Sequence, residues 1–405
     1  YFRLLDRQSP RLQLQRLGQS TQGRTLWMAV ISSPENLARQ DDLIQLQAQL
    51  SDPRGLVSTQ ARRLMHDARS VVCITCSIHP IEIGSSQMSM NLAYRLVAEN
   101  SEEIKTILDN VVLLLVPTQN PDGLDAVVEW YKKYRDTPFA GGPLPFLDHP
   151  YSGHDINRDW VHLTQKETRL TVEKLFNVWR PHVHFDLHQM GYTGPRMFLP
   201  PYRDPHDENI PSLLQAQASA IGMAIGAAMT AEGLAGVAHN VHFDAFASSR
   251  AYVFYHGGIR LLGEIASARL ATSLAITPDE LKGDEEFVPR QRSWRQPLPW
   301  GGGTWRLGDV VEYTQASSMA LLRLAARERD EWQQTRWQVQ SEAVREGDDR
   351  EVFVLPPRQF DPLALHELLS LLQLGQVEIY RAEEKVTVSG TLYPEGSYIV
   401  PVAQP

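Results

Sequence analysis

The chain has 405 residues, of which 42% are hydrophobic and 21% charged, and its net charge is -9. This composition is that of an ordinary soluble globular protein and excludes a disordered or fibrous chain. The negative charge argues against a nucleic-acid-binding surface, and no apolar run approaches the roughly 18 residues that a membrane span needs. Because the length exceeds that of one average domain, we expect one large domain over residues 1–346 and a small αβ unit over residues 347–405 that could begin a further domain.

Strands and helices are predicted to alternate in the first part of the chain. An apolar run at residues 71–78 is too short for a buried helix and ends before Pro80, so it predicts a strand. Residues 84–100 have the apolar spacing of a helix that can pack on a sheet. Residues 110–117 form a continuous apolar run, which is typical of a strand covered on both faces. Strand, helix and strand in this order predict a parallel βαβ unit.

The first of these strands carries Cys73 and Cys76, the only cysteines of the chain. A Cys-x-x-Cys pair can be a redox or zinc motif. Side chains three residues apart in a strand point to opposite faces, however, which fits two buried hydrophobic residues better than a disulfide.

Two potential metal ligands follow the same strand directly. His79 and Glu82 are separated by two residues, at the point where the strand ends. A His-x-x-Glu pair alone is a weak signal, so its meaning depends on further ligands downstream.

The middle of the chain is predicted to be irregular before it returns to a helix. The Asn-Pro-Asp-Gly sequence at residues 120–123 predicts a tight turn. Residues 136–151 form a long stretch rich in proline and glycine, and a loop of that length in a compact domain is usually functional or disordered. The segment with Asp155, Asn157 and Arg158 follows, and a helix is predicted at 164–179.

A strand predicted at residues 181–188 places four polar residues on one face. They are His182, His184, Asp186 and His188, because alternate side chains of a strand share a face. A purely structural strand has little reason to align three imidazoles and a carboxylate. His188 lies at the carboxyl end, where ligands of open α/β sheets gather.

One acidic residue lies in a late apolar strand. Glu264 belongs to the run at residues 259–265, where burial would raise its proton affinity and suit it to act as a general base near neutral pH. Helices are predicted at 212–232 and 317–345, and residues 347–350 have the composition of a linker.

The histidine and carboxylate ligands that catalytic zinc prefers are therefore present. Such a site takes three protein ligands from histidine and carboxylate and leaves a fourth position to water. His79, Glu82 and His188 supply one such set, for one zinc ion per chain, and Glu264 supplies a carboxylate that is not a ligand.

The motifs, taken in order, resemble those of the M14 zinc carboxypeptidases, the carboxypeptidase A family. They are His79-x-x-Glu82, Asn-Pro-Asp-Gly at residues 120–123, Asn157-Arg158, His188 and Glu264. The resemblance covers about residues 10–345. It implies an α/β fold with a mixed, mainly parallel central sheet and helices on both faces, to which the small C-terminal αβ unit is added.

The resemblance also implies roles for individual residues. Arg135 would stabilise the oxyanion together with the metal, and Glu264 would be the general base. Asn157 and Arg158 would bind the terminal carboxylate of the substrate, for which a planar guanidinium is well shaped. Asp155 would orient the first histidine ligand.

Several of these positions also have a structural interpretation. Arg135 could be one more solvated cation beside two lysines, and Asn157-Arg158 could be a structural turn pair. His182 and His184 fit histidines that are satisfied within a sheet. The chain also departs from the family, which usually places a mobile tyrosine ahead of the general base. Residues 242–250 contain no tyrosine, so Tyr252 or Tyr255 would have to substitute, or the role is absent.

The sequence thus predicts a zinc metallopeptidase that removes C-terminal residues from a peptide or protein with a free C-terminus. Two alternatives stay open: a zinc amidohydrolase that acts on acylated amino acids or cell-wall peptides, and an inactive module that binds peptide. Because the chain starts at Tyr1 and not at Met, we expect a fragment or a processed product. An extracytoplasmic location, periplasmic or secreted, is expected, and the sequence leaves the oligomeric state open.

Overall fold

The computed structural model describes residues 1–242, 244, 247–348 and 352–405. The strands are β1 Leu12–Gln19, β2 Thr25–Ile31, β3 Ser70–Cys76, β4 Val111–Val116, β5 Val183–Met190, β6 Met197–Leu199, β7 Val237–His239, β8 Ile259–Ala266, β9 Leu274–Ile276, β10 Gly303–Trp305, β11 Phe353–Leu355, β12 Tyr380–Arg381, β13 Val386–Val388, β14 Thr391–Tyr393 and β15 Tyr398–Val400.

The helices precede and connect these strands, and a π turn at Val172–Phe176 joins the two helical segments that come just before β5. They are α1 Phe2–Gln8, α2 Pro34–Ala38, α3 Gln40–Leu50, α4 Ser58–Asp67, α5 Gly84–Ala98, α6 Glu102–Asn110, α7 Pro121–Tyr134, α8 Lys166–Thr171, α9 Asn177–Trp179, α10 Ser212–Ala231, α11 Leu307–Arg327, α12 Arg329–Asp348 and α13 Pro362–Leu374.

The central sheet has eight strands in the order β1-β2-β4-β3-β5-β8-β6-β7. Its middle, β4-β3-β5-β8, is parallel, whereas β1 and β2 on one side and the β8–β6 pair on the other are antiparallel. The prediction of a mixed, mainly parallel α/β sheet is therefore confirmed. Because the parallel strands end at the same edge, residues that follow β3, β5 and β8 meet there.

Both faces of the sheet are covered by helices, as predicted. The alternation of side chains along β3 and β4 sends one set into a core with α5, α6, α10 and α11, and the other set into a core with α2, α3 and α9. Cys73 lies in the second core and Cys76 in the first, and both are free and buried. The two cysteines are thus core residues on opposite faces.

Two predictions of local structure are wrong. The Asn-Pro-Asp-Gly segment begins helix α7 instead of forming an isolated turn. Asn120 caps that helix by accepting a 2.8 Å hydrogen bond from the Gly123 N–H, and Pro121 occupies its first turn, where proline is well tolerated. The single helix predicted at 317–345 is two helices, since the backbone leaves helical geometry at Glu328 between α11 and α12.

Helix α10 is long and apolar enough, by length and composition alone, to cross a membrane. In the fold, its Leu214, Ile221, Ile225 and Met229 side chains pack in the core beside α11 and β8. Packing within the protein buries 39% of its most apolar 18-residue window.

The C-terminal segment forms a small sheet, β11-β15-β12, a β13–β14 hairpin and helix α13. It touches the preceding part through a 2.7 Å hydrogen bond from Asn177 Nδ2 to the Leu374 carbonyl and an ion pair between Arg54 and Glu378. Helix α12 extends to Asp348, and residues 349 and 350 of the predicted linker lie outside the described residues. The division into two domains stays a prediction.

Candidate active site

The turn after β3 fixes the first two predicted ligands. Ser77 adopts a left-handed backbone conformation with a φ of 48°, and its hydroxyl donates a 2.7 Å hydrogen bond to the Glu82 carbonyl. The Glu82 N–H donates to the His79 carbonyl at 3.1 Å. At the start of α5, the Gly84 N–H donates to Gln189 Oε1 at 2.7 Å, which joins the turn to β5. His79 and Glu82 therefore lie on a turn that is fixed by hydrogen bonds within itself and to β5.

The parallel register brings the third ligand to the same place. The last pair between β3 and β5 is Cys76 with Leu187, so His188 is the first residue of β5 beyond the end of β3. His188 Nδ1 lies 3.2 Å from His79 Nδ1 and 3.1 Å from Glu82 Oε2, and His79 Nδ1 lies 2.9 Å from Glu82 Oε1. Residues 79, 82 and 188 thus form one cluster, which we call the ligand cluster.

The donor atoms of this cluster fit a tetrahedral metal ion. Ligands at zinc distances of about 2.0–2.1 Å lie about 3.3–3.4 Å apart in a tetrahedron. The two Nδ1 atoms, 3.2 Å apart, are close to that spacing, and each has one oxygen of Glu82 beside it. Each histidine also has its second nitrogen on a carboxylate: His79 Nε2 lies 3.2 Å from Asp155 Oδ1, and His188 Nε2 lies 2.9 Å from Asp186 Oδ2. Carboxylates in that position hold both Nδ1 lone pairs towards a shared cation.

The electrostatics of the cluster also favour a cation. Although burial alone lowers the pKa of His188, Asp186 and Glu82 raise that pKa to about 10. Burial likewise opposes the charged form of Glu82, yet His79 and His188 lower its pKa to about 2. The carboxylates in and around the cluster therefore stabilise a positive charge at this place. Protonation of the two imidazoles supplies that charge when no other cation does.

Glu264 lies beside the cluster on the next strand. Within the parallel β5–β8 pair, Glu264 is the register partner of His188. Burial raises the pKa of Glu264 to about 7, and the negative charge of Glu82 acts in the same direction. A carboxyl group with that pKa can both accept and return a proton near neutral pH.

The predicted carboxylate-binding pair borders the cluster on one side. A 3-10 turn at Ile156–Arg158 begins at Asp155, whose side chain accepts a 2.8 Å hydrogen bond from the Asn157 N–H. Asn157 Nδ2 lies 3.3 Å from His188 Nε2, and the Arg158 side chain is 37% exposed, with its Nη1 3.4 Å from Asp155 Oδ2. This turn places a partly exposed guanidinium beside Asp155, whose other oxygen contacts His79.

Arg135 is not brought to the cluster by any observed contact. It follows the last residue of α7, its side chain is 59% exposed, and its Nε lies 3.2 Å from Asp136 Oδ2. Its role as an oxyanion-binding residue stays a prediction.

The two substitute tyrosines make hydrogen bonds elsewhere. The Tyr252 hydroxyl donates to Asn177 Oδ1 at 2.7 Å, and the Tyr255 hydroxyl donates to Asp207 Oδ2 at 2.5 Å. In the segment 242–250, residues 243, 245 and 246 lie outside the described residues.

A cavity of about 490 Å³ opens on the side of His79 and Glu82. The long proline- and glycine-rich loop at residues 136–151 contributes Leu144 and Phe146 to its wall, and Tyr192 and Leu270 add further apolar surface. Arg269 also lines the cavity. Sequence reasoning found the loop but missed Arg269, for which the sequence gives no signal beyond its charge.

Asp186 and Arg260 are the other residues that sequence reasoning missed. Asp186 was placed on the correct strand face, but nothing distinguished it from its neighbours as the partner of His188. Arg260 is a charged residue within an apolar strand, and that contrast was the signal that could have drawn attention to it.

Comparison with known proteins adds a family match. The sequence matches the family model described as zinc carboxypeptidase over residues 1–218, which include every predicted site residue except Glu264. No curated protein sequence matches the chain.

Similar solved structures share a low sequence identity with the chain. A metallo-carboxypeptidase from Burkholderia cenocepacia has 16% identity and a TM-score of 0.47, with 80% of this chain and 66% of that chain covered. A metallo-carboxypeptidase from Pseudomonas aeruginosa, in complex with (2-guanidinoethylmercapto)succinic acid, has 15% identity and a TM-score of 0.48, covering 81% and 68%. Carboxypeptidase A from Helicoverpa armigera has 13% identity and a TM-score of 0.46, covering 84% and 72%. The chain thus spans just under two thirds of the Burkholderia cenocepacia structure.

Proposed function

Because the chain belongs to the zinc carboxypeptidase family, we propose that it hydrolyses peptide bonds with zinc and removes residues from the C-terminus of peptides. The observation that carries this proposal is the convergence of two Nδ1 atoms and one carboxylate beside the turn that holds Asn157 and Arg158. A hydrolytic centre with a guanidinium on the adjoining turn suits a substrate whose scissile bond lies close to a free carboxylate.

The residues divide the chemistry between them. His79, Glu82 and His188 would hold the zinc ion, which would supply Lewis-acid chemistry for a carbonyl and a water molecule. Glu264 accepts a proton and later returns it to the leaving amine, a task that its pKa of about 7 supports. Asp155 and Asp186 hold the two imidazoles in the orientation that exposes Nδ1.

Substrate orientation follows from the two sides of the cluster. Arg158 binds the terminal carboxylate through its planar fork, and Asn157 lies next to it. The apolar cavity is lined by His79, Glu82 and Asp155 but by neither Asn157 nor Arg158. Because Arg158, the proposed carboxylate-binding residue, does not line this cavity, we propose that the residue on the N-terminal side of the scissile bond enters it.

Digestion of defined peptides tests this proposal. Purified protein with zinc is incubated with a peptide that has a free C-terminus and with the same peptide amidated, and mass spectrometry follows the products. We expect a ladder of single-residue losses from the free peptide and much slower loss from the amidated one. Equal rates would favour an amidohydrolase, and bound zinc without any cleavage would favour a peptide-binding module.

A pair of arginine variants isolates the carboxylate-binding step. Arg158→Gln should raise KM for the free peptide by at least 10-fold, since it removes a charge-assisted contact. Arg169→Gln is a suitable control because Arg169 is also exposed and paired, with Glu173, on helix α8. An unchanged KM in Arg158→Gln would remove Arg158 from substrate binding.

A further inference from the structure

His188 is held by a carboxylate that is itself part of a larger buried arrangement. Asp186 is 1% exposed, and its Oδ2 atom lies 2.9 Å from His188 Nε2. Its other oxygen accepts a 3.0 Å hydrogen bond from the Thr75 hydroxyl on the neighbouring strand. The orientation of the His188 ring therefore depends on where Asp186 is fixed.

Arg260 fixes Asp186 from the other side. This arginine lies on β8, is 1% exposed, and donates from Nη2 to Asp186 Oδ2 at 2.7 Å. Its Nη1 donates to Asp244, which is 2% exposed. One planar guanidinium thus bridges two buried carboxylates, a geometry that a lysine cannot reproduce.

Asp244 connects Arg260 to a further arginine, Arg250, on the side of the site where Arg158 lies. Its Oδ1 lies 2.9 Å from Arg250 Nε, in an ion pair at the end of the short 3-10 helix Ser248–Arg250. That helix packs against the turn of Arg158, where the Trp160 N–H donates to the Ser249 carbonyl. We call Asp186, Arg260, Asp244 and Arg250 the buried ion-pair chain.

Other buried arginines of this protein show that such a chain is not required for burial. Arg196 is held by the carbonyls of Tyr192 and Gly194 and stacks on Trp300. Arg336 donates from Nη1 to Gln47 Oε1, and its Nε and Nη2 find no partner among the described residues. Arg260 differs from both because its two terminal nitrogens each bind a carboxylate.

We propose that Arg260 is a positioning residue that orients the zinc ligand His188 through Asp186 and ties it, through Asp244, to the segment that borders the substrate. This inference deepens the proposed function and rests on zinc ligation by His188. Without the guanidinium, Asp186 would keep only Thr75 and His188 as partners, and two buried carboxylates would lose their shared counter-charge. The His188 ring would then lose the restraint that keeps Nδ1 on the cluster.

The test measures zinc affinity by competition with a chromophoric chelator, at a temperature where all variants are folded. Arg260→Gln should weaken zinc binding by about 10- to 100-fold, the usual effect of losing a residue that supports a metal ligand. Arg336→Gln is the matched control, because it also removes a buried guanidinium but Arg336 does not belong to the buried ion-pair chain. It should lower the melting temperature and leave zinc affinity within twofold.

Two further variants keep the test decisive if Arg260→Gln does not fold. Arg260→Lys retains the charge but cannot span both carboxylates, so it should also weaken zinc binding by several-fold. Asp244→Asn should weaken it in the same direction but less, and should raise KM because Arg250 loses its ion pair.

Wild-type zinc affinity in both Arg260 variants, or equal losses in Arg260→Gln and Arg336→Gln, would overturn this inference alone. Wild-type zinc affinity in Asp244→Asn would overturn the link to the substrate side. A wild-type protein that binds no zinc would overturn the proposed function together with the inference.

Discussion

Replacement of Glu264 by glutamine separates catalysis from zinc binding in this protein. The amide keeps the size of the side chain on β8 but cannot accept a proton, so we expect kcat to fall by about 10²- to 10⁴-fold. Zinc binding should be retained, because Glu264 is not among the residues whose donor atoms converge in the ligand cluster.

The same variant should be more stable than the wild type in its metal-free form. Burial raises the pKa of Glu264 from 4.5 to about 7. Since the folded state binds this proton more tightly than the unfolded state, the free energy of unfolding falls as pH rises from 4.5 through 7. The shift corresponds to at most about 3 kcal/mol at pH 8, at about 1.4 kcal/mol per pKa unit, and glutamine would recover it.

Two measurements check this prediction. Peptide cleavage gives kcat, and urea unfolding of the metal-free protein at pH 4.5 and pH 8 gives the free energy of unfolding. Glu383→Gln, an exposed residue of the C-terminal unit, is the control and should change neither quantity. Activity above one tenth of the wild type with full zinc occupancy would refute the role as base, and an equal free energy of unfolding at pH 8 would refute the electrostatic argument.

Three other predictions follow from the site and its surroundings. Chelation should abolish cleavage, one equivalent of zinc per chain should restore it, and His188→Ala should prevent the restoration; metal analysis beside the activity assay checks this. Burial lowers the pKa of His184 from 6.5 to about 4, so the unfolded state takes up this proton first as pH falls. The free energy of unfolding should therefore fall by about 2 kcal/mol between pH 7 and pH 5. In His184→Gln, urea unfolding should show a weaker pH dependence. Leu144→Ser should lower kcat/KM about 5-fold for a peptide with phenylalanine before the scissile bond, for roughly 1 kcal/mol of lost apolar contact, but not for one with alanine there.

The alternation of side chains along predicted strands is the sequence pattern that predicts the most about the core and the site. It placed Cys73 and Cys76 on opposite faces and put Asp186 and His188 on one face, because a strand reverses its side chains at every residue. The order of strand, helix and strand predicted the parallel centre of the sheet, since crossover connections leave few alternatives.

Local signals were less decisive where one sequence fits two backbones. The Asn-Pro-Asp-Gly segment is compatible with a tight turn and with the start of a helix. In the structure it starts helix α7. The break at Glu328 between α11 and α12 carries no proline or glycine, so no local signal predicts it.

By itself, the sequence determined which residues could be ligands and at which strand ends they lie. Only the tertiary structure decided that the Nδ1 atoms of His79 and His188 converge with Glu82, because those distances depend on strand register between segments about 100 residues apart. The pairing of Asp186 with Arg260, and the exposed position of Arg135, were decided at the same level. A charged side chain finds its partner through space, and no spacing along the chain specifies which neighbour that will be.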